Sequence, residues 1–292
     1  MKIAVFGRKF DKSFESSIKT FFKIFCKKKA DIHIFQPFYE FVKTFTNLDI
    51  CVSNTFESFE QIDNGFDFFF SFGGDGTFLE AVRFVRDKGI PLIGINTGRL
   101  GFLANIAKED ILPSLNLLFD GKYKVEKRKL IQLSCEKNPF NDFPYALNEV
   151  TVQKKGTSMI SVTAFINEEF INTYWTDGLI VSTPTGSTAY SMSVGGPVVV
   201  PSCRTVLISP IASHNLSVRP MVVPDDFNMT LKIKSRPENF LVTIDSRTCE
   251  LPSEIEIFLQ PAHFEINMLS PDNNSFYQTM RNKLMWGLDI RN

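Results

Sequence analysis

The sequence has no surplus charge: among its 292 residues Lys+Arg and Asp+Glu number 32 each, so there is no global field to draw nucleic acid or an acidic membrane surface. An anionic ligand would then be held by a local device such as backbone N–H groups, a helix N-terminus or a bound metal ion. Long apolar runs are missing as well. No stretch reaches the roughly 18 uncharged residues of a membrane span, and the opening MKIAVFGRKF lacks the apolar core and cleavage site of a secretory leader. The five cysteines, Cys26, Cys51, Cys135, Cys203 and Cys249, are odd in number and never spaced C-x-x-C, which argues against both a disulfide framework and a zinc site. These absences predict a protein of the reducing cytoplasm that partners neither nucleic acid nor membrane. No G-x-x-x-x-G-K-[ST] loop occurs, and G-x-G-x-x-G fails because Leu79 stands at its third glycine, which disfavours a dehydrogenase of the usual dinucleotide-binding kind.

What is abundant is phenylalanine, with 30 copies spread among strand-like and helix-like stretches; we read them as core filling. The first hundred residues alternate the two kinds of stretch, as a parallel α/β sheet requires. Ile3–Phe6, Asp31–Phe35, Phe66–Phe72 and Ile90–Ile95 read as buried strands. Ser13–Lys28 and Thr77–Lys88 carry apolar residues at helical period, and a further helix is expected near Glu109–Phe119. Beyond that point most segments are short, alternating and separated by Gly, Pro, Asn or Asp, as in Ile131–Cys135, Val150–Gln153, Ser161–Ile166, Leu179–Ser182, Met229–Ile233, Leu241–Ile244 and Glu254–Leu259. The tail Ser275–Leu288 returns to helical period through Phe276, Met280, Leu284 and Leu288. The expected fold is therefore an α/β domain with a parallel sheet over residues 1–120, completed by a helix within 270–292, and a β-rich, sandwich-like domain over 121–269.

Two places carry chemistry. Gly73-Gly74-Asp75-Gly76-Thr77 falls where a strand ends and a helix begins, the position at which open α/β sheets bind phosphate. The glycines let backbone approach a phosphate, and a carboxylate facing phosphate is useful if it binds Mg2+ or takes a proton. The plainer alternative is that Asp75 merely caps the helix. A second glycine turn, Thr97–Phe102, follows the next strand. Further on, Ala146–Val150 sets Asn148 and Glu149 at a strand edge, where the pair serves a common ligand only if the strand bends or ends there; surface polarity is the alternative. Asp177–Pro197 runs from a buried strand into a Ser/Thr/Gly turn and a short helix expected to begin near Ser187. Its hydroxyls, free N–H groups and aromatic ring suit a base and ribose.

With GGDGT (73–77), TGRLGFL (97–103), NEV (148–150), DGLIVSTPTGSTAYSMSVGGP (177–197) and SHNLSVRP (213–220) in this order, the chain resembles the NAD kinase family of bacterial type over nearly its whole length. Turns similar to GGDGT also occur in lipid kinases and phosphofructokinases. The resemblance implies that NAD is phosphorylated with Mg-ATP at the 2′-hydroxyl of its adenosine ribose, in a crevice between the domains of a homodimer or homotetramer whose subunits complete one another's sites. It implies Asp75 as general base, with Gly73, Gly74, Gly76 and Thr77 at the ATP phosphates. Asn148 and Glu149 correspond to the pair that holds adenine and ribose, and Phe102, Thr188, Ala189 and Tyr190 to the adenine surround. Asp177, Ser193 and Ala212 correspond to groups near the nicotinamide end, and Thr185, Ser191 and Met192 complete the nucleotide-binding stretch. Asp245-Ser246-Arg247 departs from the family's Asp-Gly, and Arg247 enters as a candidate phosphate contact because a fork-shaped cation suits that task. His214 could contact ligand or be a structural histidine. Two rivals are a lipid kinase with a GGDGT turn, which would need an apolar channel, and a non-catalytic NAD sensor, which could dispense with Asp75.

Overall fold

The computed structural model describes residues 1–47, 50–236, 239–272 and 275–286. It contains two compact units, Met1–Lys127 with Ile266–Asn292, and Arg128–Glu265. In chain order the first part comprises β1 (Lys2–Gly7), α1 (Glu15–Lys27), β2 (Asp31–Phe35), α2 (Gln36–Thr46), β3 (Asn54–Phe56), β4 (Phe68–Phe72), α3 (Asp75–Val85), β5 (Leu92–Ile95) and α4 (Ile111–Phe119). Then follow β6 (Tyr123–Cys135), β7 (Tyr145–Ala146), β8 (Glu149–Lys154), β9 (Ile160–Ile166), β10 (Glu169–Thr176), β11 (Gly178–Ser182), α5 (Tyr190–Ser193), β12 (Thr205–Ile211) and β13 (Met221–Pro224). The chain continues through β14 (Met229–Ser235), β15 (Asn239–Ile244), β16 (Arg247–Pro252), β17 (Glu256–Pro271) and α6 (Phe276–Leu284).

In the first unit the strands run parallel in the order β5-β4-β1-β2-β3, and the end of β17 adds a parallel neighbour to β5 through Met268 opposite Leu92. Parallel strands are covered on both faces, which is why β4 can read FFFSF with Phe69, Phe70 and Phe72 all fully buried. Helix α1 packs on this sheet because Ile18, Phe21, Phe22 and Phe25 recur at the spacing of one helix face, and all four are buried. Phe21 is the hub: its ring lies 4.7 to 5.3 Å from those of Phe22, Phe25, Phe70 and Phe72. The phenylalanines fill the core as expected, and Phe6, Phe14, Phe38, Phe56 and Phe78 are also among the largest fully buried side chains. Helix α2 and strand β3 lie between the predicted elements. Pro37 opens α2, Phe38 and Val42 bury its inner face, and Asn47 closes it in the left-handed conformation at φ 53°.

The second unit is a sandwich of two antiparallel sheets. One has the order β10-β9-β14 with the start of β17, the other β13-β12-β11-β8-β15-β16. Val162, Ala164, Met229 and Leu231 from the first share one apolar core with Val150, Val152, Leu179, Val181 and Val242 from the second. Most of the segments are short, as expected, while β6 has 13 residues and β17 has 16, their apolar pattern being interrupted by residues such as Lys124, Lys127, Gln260 and His263. One expectation needs correction: the helix expected near Ser187 is a 3-10 turn over Thr185–Thr188, followed by the single turn of α5. In the tail, Ser275 caps α6 by accepting from the Gln278 N–H at 3.2 Å, and Met285 ends it at φ 53°. Helix α6 belongs to the first unit, while Leu288 lies outside the described residues. Among the described residues no helix is long and apolar enough to cross a membrane.

Candidate active site

In the first unit the GGDGT turn joins β4 to α3. Gly73 donates its N–H to the Ile95 carbonyl at 3.0 Å, and a Cβ on it would meet Thr77 Oγ1 at 2.2 Å, so the helix can begin this close to the strand only with glycine there. Gly74 is the N-cap, and a Cβ on Gly74 or Gly76 would have nothing within 4 Å. The N–H groups of the first turn of α3 have no intrahelical acceptors, and around both glycines there is open space for an anion to reach them.

Asp75 is the first residue of α3 and makes no capping bond. Its carboxylate reaches instead to the second glycine turn. Oδ2 accepts from the Phe102 N–H at 2.9 Å, and Oδ1 accepts from Leu103 and Ala104 N–H at 3.0 and 2.9 Å. The approach is so close that a Cβ on Gly101 would fall 1.8 Å from Oδ1. That turn is itself stiff, with Asn96 accepting from Gly98 N–H and donating to the Arg99 carbonyl. A fourth partner arrives from α6: Lys283 Nζ lies 3.4 Å from Oδ2, with side chains 33% and 29% exposed. A carboxylate has about four acceptor positions, so Asp75 is close to saturated, and it must give up a partner before it accepts a new proton. Phe102 carries the Lys283 ammonium 4.8 Å from its ring centre and packs against Phe276.

In the second unit the NEV segment and the 177–197 stretch come together. Thr183 donates its N–H to the Asn148 carbonyl at 2.9 Å and its hydroxyl to the Leu147 carbonyl at 2.6 Å. Gly186 lies so close to Asn148 that a Cβ would meet its carbonyl oxygen at 2.3 Å. Beyond it Thr188 and Ala189 are half-buried and Tyr190 is exposed, its hydroxyl 3.0 Å from Gln153 Nε2. Thr185 and Ser191 are buried, and Ser191 bonds the Ser209 hydroxyl at 3.0 Å. Met192 is half-buried and Ser193 exposed. Asp177 pairs with Lys154 at 2.7 Å, Ala212 is exposed in a left-handed conformation at φ 46°, and His214 is exposed with its N–H on the Trp175 carbonyl.

Asp245 pins the beginning of β8. Half-buried in the β15–β16 turn, it accepts on its carboxylate from the N–H groups of Leu147, Asn148 and Glu149 at 3.0, 2.7 and 3.2 Å. Glu149 beside it is 7% exposed, and its Oε2 is buried without a hydrogen-bond partner. Burial, then the neighbouring Asp245 charge, push its carboxyl up to about 8, against a smaller opposing pull from the Tyr190 N–H. Burial also pushes Asp245 up, against the pull of three N–H donors and Arg247. Arg247, the candidate phosphate contact, donates to the carbonyls of Phe143 and Tyr145 at 2.7 and 3.1 Å, and so braces the backbone leading to Asn148. The bracing role of Asp245 and the presence of Lys283 beside Asp75 went unnoticed in the sequence. A turn aspartate and a lone lysine in an amphipathic helix carry no local signal.

A glycine turn on a helix N-terminus with its own carboxylate, together with a hydroxyl-rich turn beside a buried amide and carboxyl, defines a nucleotide-dependent phosphotransferase. Residues 12–123 match the family model for the ATP-NAD kinase N-terminal domain and residues 147–269 that for the ATP-NAD kinase C-terminal domain. The chain belongs to the ATP-NAD kinase family. It is 43% identical to an NAD kinase of Flavobacterium johnsoniae, covering 100% of both chains. Among solved structures, yeast NADH kinase complexed with NADH superposes with a TM-score of 0.87 at 21% identity, covering 100% of this chain and 89% of that one. An NAD kinase from Archaeoglobus fulgidus in complex with ATP gives a TM-score of 0.74 at 25% identity, covering 98% and 99%. The lipid-kinase and sensor readings gain no support from these likenesses.

Proposed function

We infer that the protein transfers the γ-phosphoryl group of Mg-ATP to the 2′-hydroxyl of the adenosine ribose of NAD, giving NADP and ADP. The observation that carries the reading is Asp75, a carboxylate set in the first turn of α3 between two glycines that face open space. Gly73, Gly74, Gly76 and Thr77 hold the ATP phosphates on backbone N–H groups. Asn148 and Glu149 take the adenosine, with Phe102, Thr188, Ala189 and Tyr190 around the base. Glu149 carries its proton near neutral pH and can therefore donate as well as accept. Thr185, Ser191 and Met192 shape the turn, and Asp177, Ser193 and Ala212 face the nicotinamide end. Arg247 contributes by bracing the backbone.

Among the described residues no three His, Cys, Asp or Glu side chains gather to hold a metal. Mg2+ would come with ATP, with Asp75 as the turn's carboxylate that could help hold it, and would supply positive charge to offset that of the phosphates. The lone pair of the ribose 2′-oxygen forms the new bond to phosphorus, the bond to the β,γ-bridging oxygen breaks with its electron pair leaving on ADP, and Asp75 takes the hydroxyl proton. The protein works in the cytoplasm as a homodimer or homotetramer. Asp75→Asn is expected to lose about 10²- to 10⁴-fold in turnover while binding NAD normally, as measured by coupled NADP formation and calorimetry. Near-normal turnover would remove Asp75 from the mechanism.

A further inference from the structure

Lys283 is a cation at the GGDGT turn that neither the motifs nor the family match assigns. Its ammonium lies 3.4 Å from Asp75 Oδ2 and 4.8 Å from the Phe102 ring centre, on a side chain one third exposed. A tether for α6 would not need this arrangement, because Asp75 already accepts three backbone N–H groups, and an ion pair this exposed contributes little stability. An ammonium also has three donors, of which Asp75 engages one, weakly at 3.4 Å. Since Asp75 is the first residue of α3, a phosphate held on the first-turn N–H groups comes within reach of this flexible four-carbon stem.

We propose that Lys283 is a catalytic residue that moves from Asp75 to the γ-phosphate of bound ATP, offsetting charge on the transferring oxygens and opening Asp75 Oδ2 to the ribose hydroxyl. This rests on the reading of Asp75 as the base. The ammonium keeps its proton throughout. The 2′-oxygen supplies the electron pair of the new bond to phosphorus, ADP carries away the pair of the broken one, and the hydroxyl proton goes to the vacated position on Asp75. The exchange couples the two substrates: without ATP the base is occupied, and with ATP it is freed.

The test uses the full chain with Lys283→Met, Lys283→Gln and Lys283→Arg, reading NADP formation, Mg-ATP and NAD binding by calorimetry, and the melting temperature. Both neutral variants are expected to lose on the order of 10²- to 10³-fold in kcat, the loss seen when a charge-stabilising donor is removed. Mg-ATP should bind more weakly, while NAD affinity and melting temperature hold. Lys283→Arg should recover about tenfold or more, since it keeps the charge. A neutral variant that binds Mg-ATP as the parent does overturns the assignment, as does a loss that Lys283→Arg fails to relieve and that falls equally on NAD binding and melting temperature. A parent protein that makes no NADP overturns the functional reading instead, and the Mg-ATP comparison still decides the contact.

Discussion

Glu149 is a buried carboxyl beside the charge of Asp245, and its hold on a proton is a measurable property of the fold. Glu149 titrates at about 8 in the native protein against 4.5 as its ordinary value. Between those values the native state keeps a proton that the unfolded chain has lost, so stability falls as pH rises from about 5 to about 8 and levels off above. At about 1.4 kcal/mol per unit the full fall is on the order of 5 kcal/mol. Glu149→Gln is expected to remove this contribution, with denaturant midpoints at about pH 5 and about pH 8 as the readout. An unchanged dependence in that variant would place the proton elsewhere. At this scale the sequence was legible only in part. The GGDGT turn could be placed by local pattern, but the partners of Asp75 are 27 to 29 and 208 residues away, and no spacing rule foretells them. Arg247 shows the same limit: a fork-shaped cation suits a phosphate or a pair of carbonyls equally well, and only the fold brings Phe143 and Tyr145 to it.

Elements were more readable where one physical period dominated. In α1 the apolar spacing is uninterrupted, and the strand-turn-helix around Gly73 to Gly76 follows from a dense apolar run broken by glycine. Strands β6 and β17 were harder because each alternates apolar residues with charged or amide ones for part of its length and loses the alternation elsewhere. The tie between α1 and β4 is concentrated in Phe21, fully buried among four other rings. Phe21→Ala should therefore cost about 3–5 kcal/mol, measured by denaturant unfolding. A loss below about 1 kcal/mol would mean that the cluster closes over the gap.

At the scale of the whole molecule, no disulfide joins cysteines among the described residues, and Cys51 and Cys203 are exposed. The melting temperature is expected to be the same with and without dithiothreitol, and a fall on reduction would reveal a crosslink. More follows from the way the first unit is assembled, since its sheet receives β17 beside β5 and its proposed catalytic turn receives Lys283 from α6. On the ribosome, residues 128–265 must be made before either piece exists, a delay on the order of ten seconds at about 5–20 residues per second. For that interval β5 is a bare edge flanked by an aromatic-rich face, the kind of surface that chaperones shield and neighbouring nascent chains can capture. With Lys283 in the role proposed for it, NADP formation has to wait for α6, and a chain terminated before this helix is expected to make none.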